Sequence, residues 1–146
     1  MIITDTSVIV AYMNAADDQH ETVSAWLEDL DDDLATTPLI VAEVDHLVAA
    51  RGGRPALAAL RADLAAGAYL LEWWPGAIAT AVGVAEHYAD SSLGLADASL
   101  IALAERLGTI DIATLDERHF RAVRPLAVGK AFRLLPADAD VSARGS

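Results

Sequence analysis

The sequence contains no cysteine. That excludes a disulfide scaffold, a thiolate-held zinc or iron–sulfur centre and a thiol nucleophile, and it fits a reducing compartment. Lysine occurs once, as Lys130, and ten basic residues stand against 22 acidic ones, a net charge of −12. A general electrostatic nucleic-acid binder has the opposite balance. Aromatics make up 5% of the chain, too few for a platform on which bases stack. No run of about 18 apolar residues exists to span a membrane. The opening Met1-Ile2-Ile3-Thr4-Asp5 has neither the basic start nor the long apolar segment of a signal peptide. The expectation is a cytoplasmic protein without a membrane partner.

What is present is a hydrophobic fraction of 54% in 146 residues, enough for one domain with its own core. The charges are unevenly placed. Asp17 to Asp33 carries eight acids and no Lys or Arg, whereas Glu117 to Arg133 carries five bases and one acid. Short apolar runs at 2–5, 34–37, 68–74, 109–114 and 131–135 predict strands. Helical spacing predicts helices over about 7–14, 20–30, 38–50, 55–66, 75–88 and 95–107, with one turn at 117–120. Strands alternating with crossover-length helices predict an α/β fold, its sheet mainly parallel and covered on both faces. Residues 137–146, rich in Ala, Asp and Ser, are expected to form a disordered tail behind a domain spanning 1–136.

Several chemistries are absent at the level of motif. No P-loop, dinucleotide fingerprint or serine-nucleophile elbow occurs, and Ser24 stands where a zincin helix needs its second His. The informative residues are acids in apolar settings. Glu43 edges the stripe Ile40, Val44, Leu47, Val48. Asp97 falls within the stripe Leu100, Ile101, Ala104, Leu107. Asp5 and Asp116 each follow a strand, at the carboxyl edge where parallel sheets carry their sites. Each acid alone can be a cap or a turn residue. Four acids converging from separate segments repel one another, and a hard divalent cation, Mg²⁺ or Mn²⁺, relieves that repulsion through oxygen ligation.

Ile3-Thr4-Asp5-Thr6-Ser7, Val41-Ala42-Glu43-Val44, Leu95-Ala96-Asp97-Ala98 and Ala113-Thr114-Leu115-Asp116-Glu117-Arg118-His119-Phe120 resemble, in order, the four acidic motifs of the PIN-domain ribonucleases, in particular the VapC toxins of toxin–antitoxin pairs. The resemblance covers about residues 1–135. It implies a PIN-like three-layer fold around a five-stranded sheet. It also implies a metal-dependent endoribonuclease, usually dimeric, that cuts tRNA or rRNA to leave a 5′-phosphate and is held inactive by a cognate VapB antitoxin.

On that reading Asp5, Asp97 and Asp116 hold Mg²⁺ or Mn²⁺, and Glu43 joins them directly or through water. Ser7 and Thr114 bring hydroxyls beside the acids, and Arg118 and Arg121, with Arg124, are candidates for RNA phosphates. His119 is expected to pack beside Phe120, and Trp26, Trp73 and Trp74 to anchor core or interface. An antitoxin should bring an Arg or Lys to the carboxylates. Two rivals stay open: a Mg²⁺-dependent phosphoryl-transfer enzyme of receiver or haloacid-dehalogenase type, and a non-catalytic interaction module on the same fold.

Overall fold

Residues 1–127 and 129–140 are described from a computed structural model. Five short strands form one sheet: β1 (Ile2–Thr4), β2 (Leu34–Thr36), β3 (Leu70–Leu71), β4 (Asp111–Ala113) and β5 (Arg133–Leu135). Their spatial order is β3-β2-β1-β4-β5, and every neighbouring pair is parallel. Parallel neighbours need crossover connections, and seven helices are available for them: α1 (Thr6–Met13), α2 (His20–Glu28), α3 (Pro38–Arg51), α4 (Gly53–Ala65), α5 (Ala77–His87), α6 (Leu95–Leu107) and α7 (Glu117–Arg121). The mainly parallel sheet expected from the sequence is wholly parallel.

Alternation along the strands creates the layers. Ile3, Ala35, Ile112 and Leu134 point into the larger core with Ile40, Val44, Leu60, Leu100, Ile101 and Phe120. Their neighbours Ile2, Ala113 and Leu135 point the other way, onto Val8, Ala11 and Val23, with Trp26 against them. Helix α1 serves both sides, since Ile9 and Val10 belong to the first core and Val8 and Ala11 to the second. A fully buried Ile such as Ile112 contributes about 2–5 kcal/mol relative to Ala, so register is held strongly from both faces.

Local chemistry sets the element ends. Thr37 caps α3, its hydroxyl accepting from the Ile40 N–H, and Pro38 supplies the first helical residue. Gly108 closes α6 at φ +66°, a left-handed conformation that costs glycine little. β3 is shorter than the predicted 68–74, because its partner β2 offers only Ala35 and Thr36 before Thr37 turns into the α3 cap.

The tail also departs from expectation. Pro136–Asp140 forms turns, and Asp138 accepts from the Leu134 N–H at 2.9 Å while pairing in two places with the Arg121 guanidinium. Disorder inferred from composition overlooked this one carboxylate. The rest of the predicted tail, residues 141–146, lies outside the described residues.

The chain builds β1, β2 and β3 outward in one direction, then returns to place β4 on the other side of β1. The order therefore reverses between β1 and β4. In open α/β sheets the crevice at the carboxyl ends of such strands is where ligands bind.

Candidate active site

β1 and β4 lie side by side, with Thr4 in register with Ala113. The chain continues from them into Asp5 and Thr114, so these two residues meet at the crevice. Asp5 is the N-cap of α1 and is buried. One of its carboxylate oxygens accepts from the Thr6 N–H at 2.7 Å. The other accepts from the Ser7 hydroxyl at 2.9 Å and the Thr114 hydroxyl at 2.8 Å. Those hydroxyls also accept: Ser7 Oγ from the Leu115 N–H at 2.9 Å and Thr114 Oγ1 from the Asp116 N–H at 3.0 Å. Two hydroxyls thus lock the end of β4 to the start of α1 and fix where Asp5 and Asp116 stand. Their single protons are spent on Asp5, which leaves them less to offer a substrate than the sequence invited.

α3 and α6 bring the other two acids. The Thr37 and Ser99 hydroxyls lie 2.8 Å apart, both fully buried, and tie the two helix starts together. Asp97 is one turn into α6, near the N-terminal end that favours a negative charge. Glu43 lies near the middle of α3, and its side chain is exposed rather than packed into the stripe beside it. Asp5, Glu43, Asp97 and Asp116 line one open cavity of about 470 Å³, together with Thr6, Ser7, Leu47, Arg51 and His119.

Burial and mutual repulsion govern the carboxylates. Burial lifts Asp5 above the usual carboxylate range, opposed by the hydrogen bonds from Thr114, Ser7 and Thr6. Asp97 is pushed up to about 6, first by burial and then by the charges of Asp5, Glu43 and Asp116, with His119 acting in the opposite sense. His119 Nδ1 stands 3.3 Å from an oxygen of Asp97 and 3.3 Å from one of Asp116. The ring is half-exposed and bridges two acids, so the expectation that it packs beside Phe120 is not met; Phe120 alone enters the core.

Among the described residues, no three His, Asp or Glu side chains stand close enough to enclose an ion by themselves. Thr6, another residue of the lining, has a buried hydroxyl with no hydrogen-bond partner among the described residues. The donor set is hard oxygen throughout, apart from one imidazole.

Of the predicted phosphate contacts, Arg121 is committed elsewhere, to Glu117 at 2.7 Å and Asp138 at 2.8 Å. Arg118 is exposed on α7 beside the cavity rather than within its lining, and Arg124 is exposed beyond α7. The basic residue that does line the cavity is Arg51, at the C-terminal end of α3. It is eight residues from Glu43 with Leu47 midway, and that two-turn spacing was the available signal.

A family model described as the PIN domain matches residues 2–125. The chain belongs to the PIN-domain family. Within it, the chain is 40% identical over 136 residues to Ribonuclease VapC26 of Mycobacterium tuberculosis, covering 92% of this chain and 100% of that protein. It is therefore a VapC-type PIN-domain ribonuclease. The crystal structure of M. tuberculosis VapC20, a sarcin–ricin loop cleaving toxin, superposes with a TM-score of 0.71 at 21% identity, covering 77% of this chain and 87% of that one. At that identity the likeness speaks for the PIN fold alone. FitAcB from Neisseria gonorrhoeae superposes with a TM-score of 0.58 at 26% identity, covering 82% and 91%.

Proposed function

We propose that this PIN-domain protein is the toxin of a toxin–antitoxin pair, a Mg²⁺-dependent endoribonuclease that hydrolyses phosphodiesters of tRNA or rRNA in the cytoplasm. The observation that carries the reading is the convergence of Asp5, Glu43, Asp97 and Asp116, from four separate segments, on one cavity at the sheet's switch point. Asp5, Asp97 and Asp116 would hold the cation, Mg²⁺ or Mn²⁺, in part through its bound waters since no three acids close on one point among the described residues, and Glu43 would join directly or through water. A cation bound there supplies an acidified water and offsets charge on the phosphate as the bond to the leaving oxygen breaks.

The chain's own residues supply position. Thr114 and Ser7 hold Asp5 in one orientation through two hydrogen bonds. Held this way, the carboxylate does not have to reorganise when ligand arrives. His119 Nδ1 lies 3.3 Å from an oxygen of Asp97 and 3.3 Å from one of Asp116, between the two acids. Arg118, exposed on α7 outside the lining, would meet RNA on that side.

An acidic cavity in a chain of net charge −12 also suits a basic partner segment. A VapB-type antitoxin would insert an Arg or Lys among the carboxylates and compete with the cation. A homodimer fits the apolar side chains Ile78 and Val82 on α5 and Trp73, all exposed in the single chain. The test is cleavage of total cellular RNA by the purified protein, followed by sequencing of new 5′ ends. Discrete cuts should appear with Mg²⁺ or Mn²⁺ and vanish with EDTA or in Asp97→Asn. Absence of metal-dependent cuts would overturn the reading.

A further inference from the structure

The carboxylates can hold a metal, but nothing anionic binds to them unaided. A polyanion approaching a chain of net charge −12 meets a repulsive field. Something in the cavity must hold the phosphates that the cation does not. Of the five bases in the C-terminal stretch, Arg121 is spent on Glu117 and Asp138 and Arg133 on Asp111 at 2.7 Å, while Arg118, Arg124 and Lys130 are exposed outside the cavity lining. Elsewhere Arg61 pairs with Asp45 and Arg106 with Glu72. Arg51 differs from all of these. It lines the acidic cavity, is exposed, and has no carboxylate within 4.0 Å among the described residues.

Its place on α3 is specific. Glu43, Leu47 and Arg51 all line the cavity and follow one another at four-residue intervals. At 1.5 Å per residue, Arg51 is about 12 Å along the helix axis from Glu43. Leu47 keeps the intervening wall apolar. Asp17 lines the same region, and its carboxylate accepts from the Gln19 N–H at 2.8 Å. The cavity therefore has an acidic, metal-binding end and a far end carrying an unpaired guanidinium. With its backbone two turns from that of Glu43, Arg51 is set to meet a phosphate next to the one lying over the carboxylates. A guanidinium grips a phosphate through two parallel N–H donors.

We propose that Arg51 is a substrate-positioning residue that binds a non-scissile phosphate of the RNA and sets how the strand lies across the carboxylates. This rests on the ribonuclease reading above. It adds α3 to Arg118 on α7 as a surface that meets the RNA.

The test compares Arg51→Ala, Arg51→Lys and Arg54→Ala. Arg54 is exposed on α4 and outside the cavity lining. In an Asp97→Asn background, so that the RNA survives, binding of bulk tRNA is measured against KCl concentration. Arg51→Ala should weaken binding about tenfold and lower the slope of log affinity on log salt by about 0.7–0.9, the loss of one phosphate contact. Arg51→Lys should keep the slope, because a cation remains, yet bind less tightly than Arg. Arg54→Ala should change neither.

With Asp97 intact, cleavage is measured on an oligonucleotide spanning a cut made by the wild type. There KM should rise about tenfold in Arg51→Ala while kcat changes far less. An unchanged salt slope in Arg51→Ala, with the wild type still cutting RNA, overturns the assignment and leaves the nuclease reading standing. A fall in kcat with KM and slope unmoved overturns it too. Failure of the wild type to cut or bind RNA removes the nuclease reading, and this inference with it.

Discussion

The Thr114 hydroxyl donates a 2.8 Å hydrogen bond to the Asp5 carboxylate across 109 residues of sequence. The same oxygen accepts from the Asp116 N–H at 3.0 Å. One buried hydroxyl thus joins the first acid of the site to the backbone of the last. Thr114→Val keeps the shape but removes both bonds. It should destabilise the fold by about 1–3 kcal/mol, the cost of leaving partners unsatisfied in a buried place. It should also raise the Asp5 pKa further, since this bond opposes the effect of burial. Chemical denaturation of the variant checks the first, and reduced metal affinity near neutral pH checks the second. A variant as stable as wild type would mean that water replaces the hydroxyl without loss.

Asp97 gives a pH prediction with a definite sign. Its folded-state carboxyl is raised from 3.8 to about 6 by burial and by Asp5, Glu43 and Asp116. A raised carboxyl stabilises the fold only while protonated. Its contribution is complete below about 4 and is lost as pH rises through about 6. The shift is worth up to about 3 kcal/mol by linkage, and partial exposure should reduce it to about 1–2 kcal/mol. Without metal, Asp97→Asn should therefore be more stable than wild type at pH 7.5 and no more stable at pH 4. Thermal unfolding of both proteins in EDTA across that range measures the gap. A gap that does not open with pH would show that the repulsion is not felt.

The sheet was legible because alternation and helical spacing were strong. Ile2 and Ile3 point to opposite cores, as their adjacency in a two-sided sheet requires. Thr37-Pro38 and Gly108 are local signals: the first starts α3 and the second ends α6, at the bounds the sequence predicts. Asp97 was legible because a carboxylate within an apolar stripe is costly, and Asp5 and Asp116 because they follow strands; Glu43, read at the edge of a stripe, is exposed. What sequence could not supply was pairing at a distance. Arg121 looks free in one dimension, but Asp138 reaches it across 17 residues. His119 sits one turn after Asp116, and only the docking of α6 shows that Asp97 is its second neighbour. Arg51 reads as an ordinary charge at a helix C-terminus until the cavity is seen.

The Asp138 contact can be tested in the same way. Arg121 and the Leu134 N–H hold its carboxyl below the usual range. A depressed carboxyl adds stability above its ordinary value and loses it as pH falls through the folded value. Asp138→Asn should cost about 0.5–1 kcal/mol at pH 7, the modest worth of a largely exposed pair, and the cost should fade in acid. It would also release Arg121 from one of its two partners. Equal midpoints for variant and wild type at pH 7 would mean that the tail contributes nothing to the fold.

Metal binding links these threads. A cation held by Asp97, as proposed above, would need it ionised, and the protein resists that ionisation below about 6. Protons and metal would then compete for one carboxylate. Millimolar Mg²⁺ or Mn²⁺ should raise the unfolding midpoint at pH 7.5, because a ligand that binds only the folded state stabilises it, by about 2.7 kcal/mol at a hundredfold excess over Kd. The gain should shrink steadily as pH falls from 7 to 5, and EDTA should reverse it. Ca²⁺ offers a control. It favours more oxygen ligands and a looser geometry, so a site completed largely by water should not bind it far more tightly than Mg²⁺. Isothermal titration of the folded protein reads affinity and proton release together, with close to one proton released per ion at pH 5.5 and few at pH 7.5. No heat and no shift in midpoint at millimolar metal would show that the four acids do not form a metal site.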